Sequence, residues 1–163
     1  MQGDTSENDG AVKVSFHLEQ RKVDDGAAWP PTPCERLWAT DLGSGRYKLR
    51  NIPFYAKGVN LDDVVLVEAT REGLIFKSVV ERHGHSTFRV LLREGRSLFE
   101  KPVIEILEAV NRCGSWYETA DGTLVAIDVP PTTRLDSVFG VLELGEEWGL
   151  WDVEVGSCHD PRN

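Results

Sequence analysis

Alternating apolar and polar positions dominate the first half of the chain. Val14 and Phe16, for example, are separated by a single polar residue, which is the period of a half-buried strand. The segments with strand-like patterns are 12–18, 35–40, 46–52, 64–68 and 74–82. Residues 41–45 carry the glycines of a hairpin turn, and the proline-rich segment 24–33 is predicted to be a loop. Short strands at this spacing predict a small antiparallel barrel or curled sheet.

The period changes in the second half. Val103, Leu107 and Val110 lie at helical spacing and predict a first helix. Pro102 suits the first turn of that helix, and Gly114 suits its C-terminal end, because proline lacks an N–H and glycine accepts positive φ. A strand over 86–92 precedes the helix.

A second helix is predicted near residue 135. Thr133 and Asp136 resemble a capping box at its start, and Gly145 or Gly149 is expected to end it. The remaining predicted strands are 116–119, 124–129 and 151–155.

These elements predict an α+β fold with two units. Residues 11–85 form a small N-terminal antiparallel β-barrel-like unit, and residues 86–157 form a ferredoxin-like βαββαβ unit. We expect residues 1–10 to be a disordered acidic N-terminus and residues 158–163 to be a tail.

Composition and charge narrow the function classes. The 163 residues are 40% hydrophobic, and no stretch approaches the roughly 18 apolar residues of a membrane span. The net charge of −9 argues against nucleic acid, whose affinity comes mostly from Lys and Arg. Acids are concentrated at both ends of the chain, which would favour a basic protein partner.

The cysteine pattern and the N-terminus bear on location. The first ten residues lack an apolar segment, so we expect no secretory signal. Cys34, Cys113 and Cys158 are widely spaced, and we interpret them as free thiols in a reducing cytoplasm.

The richest candidate chemistry lies in segment 82–90. On a regular strand His83, His85 and Arg89 would share a face, although Gly84 can break that register for His83. Histidine has an ordinary pKa of roughly 6.5, so His85 is a candidate proton-transfer group beside Arg89 as an anion clamp. The alternatives are a metal-chelating pair and a structural role for His85 between the two units. No third ligand is evident, and we predict no metal or cofactor.

The aromatic residues Phe54 and Tyr55 follow Pro53 and offer a second candidate feature. They are interpreted either as a recognition surface or as core residues at the barrel mouth. We therefore expect the binding site to involve Tyr55, Phe54, His83, His85 and Arg89.

Five motifs together resemble a known family. They are Leu37-Trp38-Ala39, Gly45-Arg46-Tyr47, Asn51-Ile52-Pro53-Phe54-Tyr55-Ala56, Asp63-Val64-Val65 and Gly84-His85-Ser86-Thr87-x-Arg89-Val90. Over about residues 12–155 the chain resembles a family of bacterial proteins known only as a domain of unknown function, number 4265. That resemblance implies a soluble bacterial protein and carries over no catalytic residues. The second half is also similar, in the order of its elements, to the ferredoxin-like protein inhibitors of ribonuclease E.

The sequence favours a non-catalytic binding protein that acts on a protein partner or sequesters a small ligand. The alternative is a small enzyme or self-resistance protein that handles a small molecule in the cleft between the two units, where pockets are common. In that alternative His85 transfers the proton and Arg89 holds the anion. The sequence leaves the oligomeric state open.

Overall fold

The computed structural model describes residues 10–159 of the chain, so the expectations for residues 1–9 and 160–163 lie outside the described residues. The described part holds helices α1 (Lys101–Arg112) and α2 (Leu135–Glu147). Its strands are β1 (Ala11–His17), β2 (Arg21–Lys22), β3 (Ala28–Trp29), β4 (Cys34–Gly43), β5 (Arg46–Leu49), β6 (Val64–Thr70), β7 (Gly73–Glu81), β8 (Ser86–Leu92), β9 (Trp116–Ala120), β10 (Leu124–Val129) and β11 (Trp151–Ser157). Neither described helix is long and apolar enough to cross a membrane.

The first unit is a closed barrel of β1, β4, β5, β6 and β7. Neighbouring strands of the barrel pair antiparallel, except that β1 and β7 form a short parallel pair that closes the barrel. Alternate side chains of each strand point inward, as the period of two requires. The buried apolar interior includes Val14, Phe16, Leu37, Ala39, Leu49 and Val65. The predicted barrel-like unit is therefore confirmed.

The second unit is a four-stranded antiparallel sheet in the order β11-β8-β10-β9. Together with α1 and α2 it has the βαββαβ order and sheet arrangement of a ferredoxin-like unit, as predicted. Both helices cover one face of the sheet. The residues buried there include Phe88, Val90, Val103, Val110, Ile127, Leu142 and Trp151. The division of the chain at residues 85 and 86 stays a prediction.

The other face of this sheet is turned toward the barrel. Side chains alternate along β8, so Thr87 and Arg89 point away from the helices. On the neighbouring β10, Asp128 pairs directly with Thr87 and shares that face. All three residues are fully or almost fully buried. The polar groups of the sheet are thus concentrated where the two units meet.

The predicted capping box of the second helix is wrong. α2 begins at Leu135, and its N-cap residue, Arg134, makes no side-chain capping hydrogen bond. The Thr133 hydroxyl instead donates to the carbonyl of Gly114 at 3.1 Å, which ties the end of α1 to the start of α2. Local spacing resembles a cap, but the tertiary contact takes the hydroxyl.

The end of α2 also differs from one of the two predicted positions. Gly145 lies inside the helix. Its lack of a side chain makes room for the indole ring of Trp151, which packs directly against it. The helix ends at Glu147, and Gly149 with φ of 70° follows it.

A small hairpin overlaps the predicted loop 24–33 and begins before it. Arg21 pairs with Trp29 and Lys22 with Ala28, so β2 and β3 form a two-stranded sheet. The Asp25 carboxylate accepts a hydrogen bond from the Ala27 N–H at 2.8 Å within its turn. This β2–β3 hairpin extends from the barrel and positions two side chains of the candidate site.

Candidate functional site

A buried carboxylate of the barrel holds the turn 53–56. Glu35 lies on β4, and its carboxylate accepts hydrogen bonds from the N–H groups of Phe54 at 2.7 Å, Tyr55 at 2.9 Å and Ala56 at 2.7 Å. Hydrogen bonds to a charged group contribute about 1.5–3 kcal/mol each. Glu35 therefore organises the backbone that carries the predicted aromatic residues.

A buried guanidinium of the second unit holds the same turn. The Arg89 side chain donates from Nε to the carbonyl of Pro53 at 3.2 Å and from Nη2 to the carbonyl of Ala56. It lies against Gly156, where an added Cβ would come within 3.0 Å of the guanidinium carbon. Burial lowers the pKa of Arg89, and the carboxylates of Glu154 and Glu35 oppose that shift. Its Nη1 atom has no hydrogen-bond partner among the described residues.

A second polar contact between the units is centred on Asn60. Its side-chain oxygen accepts from the Thr87 hydroxyl at 2.8 Å, and its amide nitrogen donates to the Ser157 hydroxyl at 3.0 Å. Its backbone N–H donates to Asp63 at 2.9 Å. A barrel loop is thereby bonded to both β8 and β11, which fixes the relative position of the units.

His85 occupies a third contact at the junction. Its Nδ1 atom shares a 2.8 Å hydrogen bond with Oδ1 of Asp128, and its Nε2 atom lies 3.4 Å from Oδ2 of Asp62. Burial raises the pKa of Asp128, and the hydrogen bond and charge of His85 act in the opposite direction. Since Asp62 belongs to a barrel loop and Asp128 to β10, the imidazole connects one carboxylate from each unit.

A cavity with a volume of about 440 Å³ lies beside the turn 53–56. We call it the aromatic cavity. Phe16 and Phe76 stack in it with ring centroids 4.6 Å apart, and Trp29 meets Tyr55 edge-on at 5.8 Å. Its polar lining residues are His17, Glu19, Gln20, Arg21, Lys57 and Glu154. This lining of rings with a few polar groups is typical of small-molecule sites.

A second cavity of about 280 Å³ adjoins the first and shares Arg21, Trp29 and Glu154 with it. We call it the arginine cavity, because Arg21 and Arg89 both line it. Its other lining residues are Leu91, Leu124, Asp152 and Val153. The two cavities together form one cleft, with the barrel and its hairpin on one side and the open face of the sheet on the other.

The predicted site residues are divided by the structure. Tyr55 lines the aromatic cavity and Arg89 the arginine cavity, while half-buried Phe54 lines neither. His85 is buried and lines neither cavity, and His83 is exposed with its Nε2 atom 3.3 Å from Glu81. Both histidines precede β8, and Gly84 between them has φ of 84°, so they do not share the strand register of Arg89.

Sequence reasoning did not single out several residues of the cleft. Phe16 and Phe76 are ordinary strand residues by pattern, and Glu35 and Glu154 are ordinary surface acids. The half-buried Trp29 carried a signal, since an isolated tryptophan in a polar segment is unusual. Within residues 10–159 no group of three or more potential metal-ligating side chains is found.

Comparisons with known proteins agree with this architecture. A family model described as a domain of unknown function (DUF4265) matches residues 35–153. A solved structure titled as a novel crystal structure of a hypothetical protein from Neisseria gonorrhoeae matches with a TM-score of 0.69 and 18% identity, covering 90% of this chain and 95% of that chain. At this identity the likeness shows the fold alone. A search of curated proteins gave no match. Neither match supports the expected likeness to ribonuclease E inhibitors.

Proposed function

The chain belongs to the DUF4265 family, which is defined only as a domain of unknown function, and we propose that it is a non-catalytic protein that binds a small ligand in the cleft between its two units. The observation that carries this proposal is the aromatic cavity of about 440 Å³. Its volume lies within the range of ligand pockets, roughly 300–1,000 Å³.

The walls of the cleft support binding without a folding step. The turn 53–56 is held by Glu35 and Arg89, so Tyr55 is positioned before any ligand arrives. A preformed site loses less conformational entropy on binding than a loop that must order around its ligand. The partly exposed ring of Phe76, stacked on the buried ring of Phe16, supplies apolar area for a flat, largely apolar molecule.

Catalysis by His85 is the second candidate, favoured by the 2.8 Å contact with Asp128. A carboxylate on one ring nitrogen orients an imidazole for proton transfer at the other. Here, however, the other nitrogen faces Asp62 at 3.4 Å, and His85 lines neither cavity. Two nitrogens of Arg89 are also already bonded to carbonyls of the turn. These contacts favour a structural role for His85.

The cellular location remains part of the proposal. Cys34, Cys113 and Cys158 are all free, and Cys158 is exposed. Free thiols are typical of a reducing compartment, so we propose a cytoplasmic protein.

A fragment screen by ligand-observed NMR tests the binding function. We expect aromatic fragments to bind the wild-type protein and to bind about fivefold or more weakly to Trp29→Ala, which removes a wall shared by both cavities. The matched control is Trp148→Ala, because Trp148 is half exposed beyond α2 and lines neither cavity. Equal loss in both variants, or no aromatic fragment bound by the wild type, would contradict the proposal.

A further inference from the structure

The arginine cavity is lined by a buried guanidinium. Arg89 is 1% exposed, and its Nη1 atom makes no hydrogen bond to any described residue. The nearest carboxylate oxygen recorded for that atom is Oε2 of Glu154 at 3.7 Å, beyond hydrogen-bond distance. The other two guanidinium nitrogens are bonded to carbonyls of the turn 53–56, so Arg89 acts on the cavity through its positive charge, which favours an anion there.

A second guanidinium faces the same space. Arg21 of β2 lines both cavities and forms no salt bridge with any residue in the described range 10–159. At the boundary of the two cavities, its positive charge lies beside Trp29, with which Arg21 pairs across the hairpin. Two arginines from different units therefore line one small cavity.

The acids of this cavity are already engaged. Asp152 accepts two hydrogen bonds from Arg93, at 3.1 and 2.8 Å, and Glu154 lies 3.0 Å from Nζ of Lys57. Among the described residues that line this cavity, Arg21 is thus the cation that forms no ion pair with a carboxylate. Because the rest of the lining is apolar and two carboxylates lie nearby, a singly charged planar anion fits better than a dianionic phosphate.

Resting on the proposed binding function, we propose that the ligand is an aromatic or apolar molecule with a carboxylate. Its ring lies in the aromatic cavity, and its carboxylate pairs with Arg21 in the arginine cavity, close to the positive charge of buried Arg89. Arg21 and Trp29 line both cavities, and their positions set the distance between the ring and the carboxylate of the ligand. Arginine recognises a carboxylate through parallel N–H···O bonds, which are strongest where water is excluded.

Three probes of the same ring system test the charge preference by calorimetry. They are naphthaleneacetic acid, naphthaleneacetamide and naphthylethylamine, which at neutral pH are anionic, neutral and cationic. We expect the acid to bind the wild-type protein about tenfold more tightly than the amide, and the amine to bind most weakly. Arg21→Gln should reduce the preference for the acid over the amide by about threefold or more.

The matched control is Lys22→Gln, which removes the same charge from the neighbouring hairpin residue but lines neither cavity. It should leave the ratio of acid to amide affinity unchanged. Arg21→Gln is preferred to substitution of Arg89 because Arg21 is exposed and its loss spares the buried junction.

The outcomes separate this inference from the binding function. Equal affinity for acid and amide, or equal effects of Arg21→Gln and Lys22→Gln, would overturn the carboxylate assignment. If all three probes bind equally and lose affinity in Trp29→Ala, the cleft binds ligands without selecting an anion. If none of the probes binds at millimolar concentration, both proposals are overturned.

Discussion

Glu35 and Arg89 bind the same turn from opposite sides: the carboxylate of Glu35 accepts its N–H groups, and the guanidinium of Arg89 donates to its carbonyls. One residue comes from the barrel and the other from the four-stranded sheet. Both are buried, and neither forms a direct salt bridge with the other in the described structure. The turn between them is therefore one structural link between the two units, and it also forms a wall of the cleft.

Glu35→Gln should destabilise the protein strongly. A glutamine amide keeps one acceptor oxygen but directs an NH₂ group at backbone donors, and three charge-assisted hydrogen bonds are weakened or lost. We expect a loss of about 2–4 kcal/mol in the free energy of unfolding. Urea denaturation measures it, with Glu72→Gln on an exposed turn as the control. A loss no larger than that of Glu72→Gln would show that the carboxylate does not organise the turn.

Glu35 and Arg89 should be energetically coupled through the turn. In a double-mutant cycle with Glu35→Gln and Arg89→Lys, we expect an interaction energy of at least about 1 kcal/mol, because residues in one hydrogen-bond network are not additive. The lysine keeps the charge but cannot donate to both Pro53 and Ala56 in the planar geometry of arginine. If the two losses of unfolding free energy were strictly additive, Glu35 and Arg89 would not be coupled through the turn.

His85→Ala should leave the carboxylate of Asp128 without its hydrogen-bond partner in a fully buried position. Removing one member of a buried pair costs about 3–5 kcal/mol, and we expect a loss in that range from thermal or urea unfolding. Asp62→Asn is the control, since Asp62 is partly exposed and lies farther from the imidazole; asparagine also tolerates its φ of 67°. Unchanged ligand affinity per folded molecule of His85→Ala would assign His85 a structural role.

A similar small loss for His85→Ala and Asp62→Asn would contradict the importance of the contact with Asp128. A large loss of ligand affinity in folded His85→Ala would instead place the imidazole in the binding or catalytic machinery.

The stability of the protein should depend on pH through Glu118, whose pKa shift has only two causes. Burial, and then the charge of Asp128, raise the pKa of Glu118 above its ordinary value of 4.5. An acid whose pKa is higher in the folded state contributes stability that is complete below the unfolded pKa and is lost as pH rises through the folded pKa. Glu118→Gln should therefore stabilise the protein at pH 7 relative to the wild type, and the gain should disappear as pH falls below the unfolded value.

The gain at neutral pH should be modest, about 0.5 kcal/mol, because partial exposure screens the charge. Melting temperatures between pH 4 and 8 measure it, with Glu72→Gln again as the control. A gain that grows toward acid pH would reverse the sign and contradict the raised pKa.

Periodicity predicted the fold more fully than the site. The strands around Val14 and Phe88 and the helix around Val103 follow regular alternation or helical spacing, because one side of each element is buried in a core. The β2–β3 hairpin was not predicted. Its strands have two residues each, too few for any period to emerge, and the sequence does not show the contact of Trp29 with Tyr55.

The chemistry of the site depends on contacts that sequence spacing does not show. Arg89 was a candidate because it lies in a segment rich in histidine and arginine. Its partners Pro53 and Ala56, however, lie more than thirty residues away in the chain. Glu35 gave no signal, since an acid at the start of a strand is ordinary until the turn folds onto it. The partner of His85, Asp128, lies 43 positions away in the chain. Such pairs are created by the packing of the two units.

The location of a bound ligand tests the proposed cleft most directly. A titration of ¹⁵N-labelled protein with naphthaleneacetic acid, followed by two-dimensional NMR, should shift the indole resonance of Trp29 and the amides of Arg21, Tyr55 and Lys57 together, along one binding curve. Amides of α1 and α2, on the far side of the sheet, should stay unchanged. Shifts confined to the helices, or a saturating titration that leaves the Trp29 indole unmoved, would contradict ligand binding between the units.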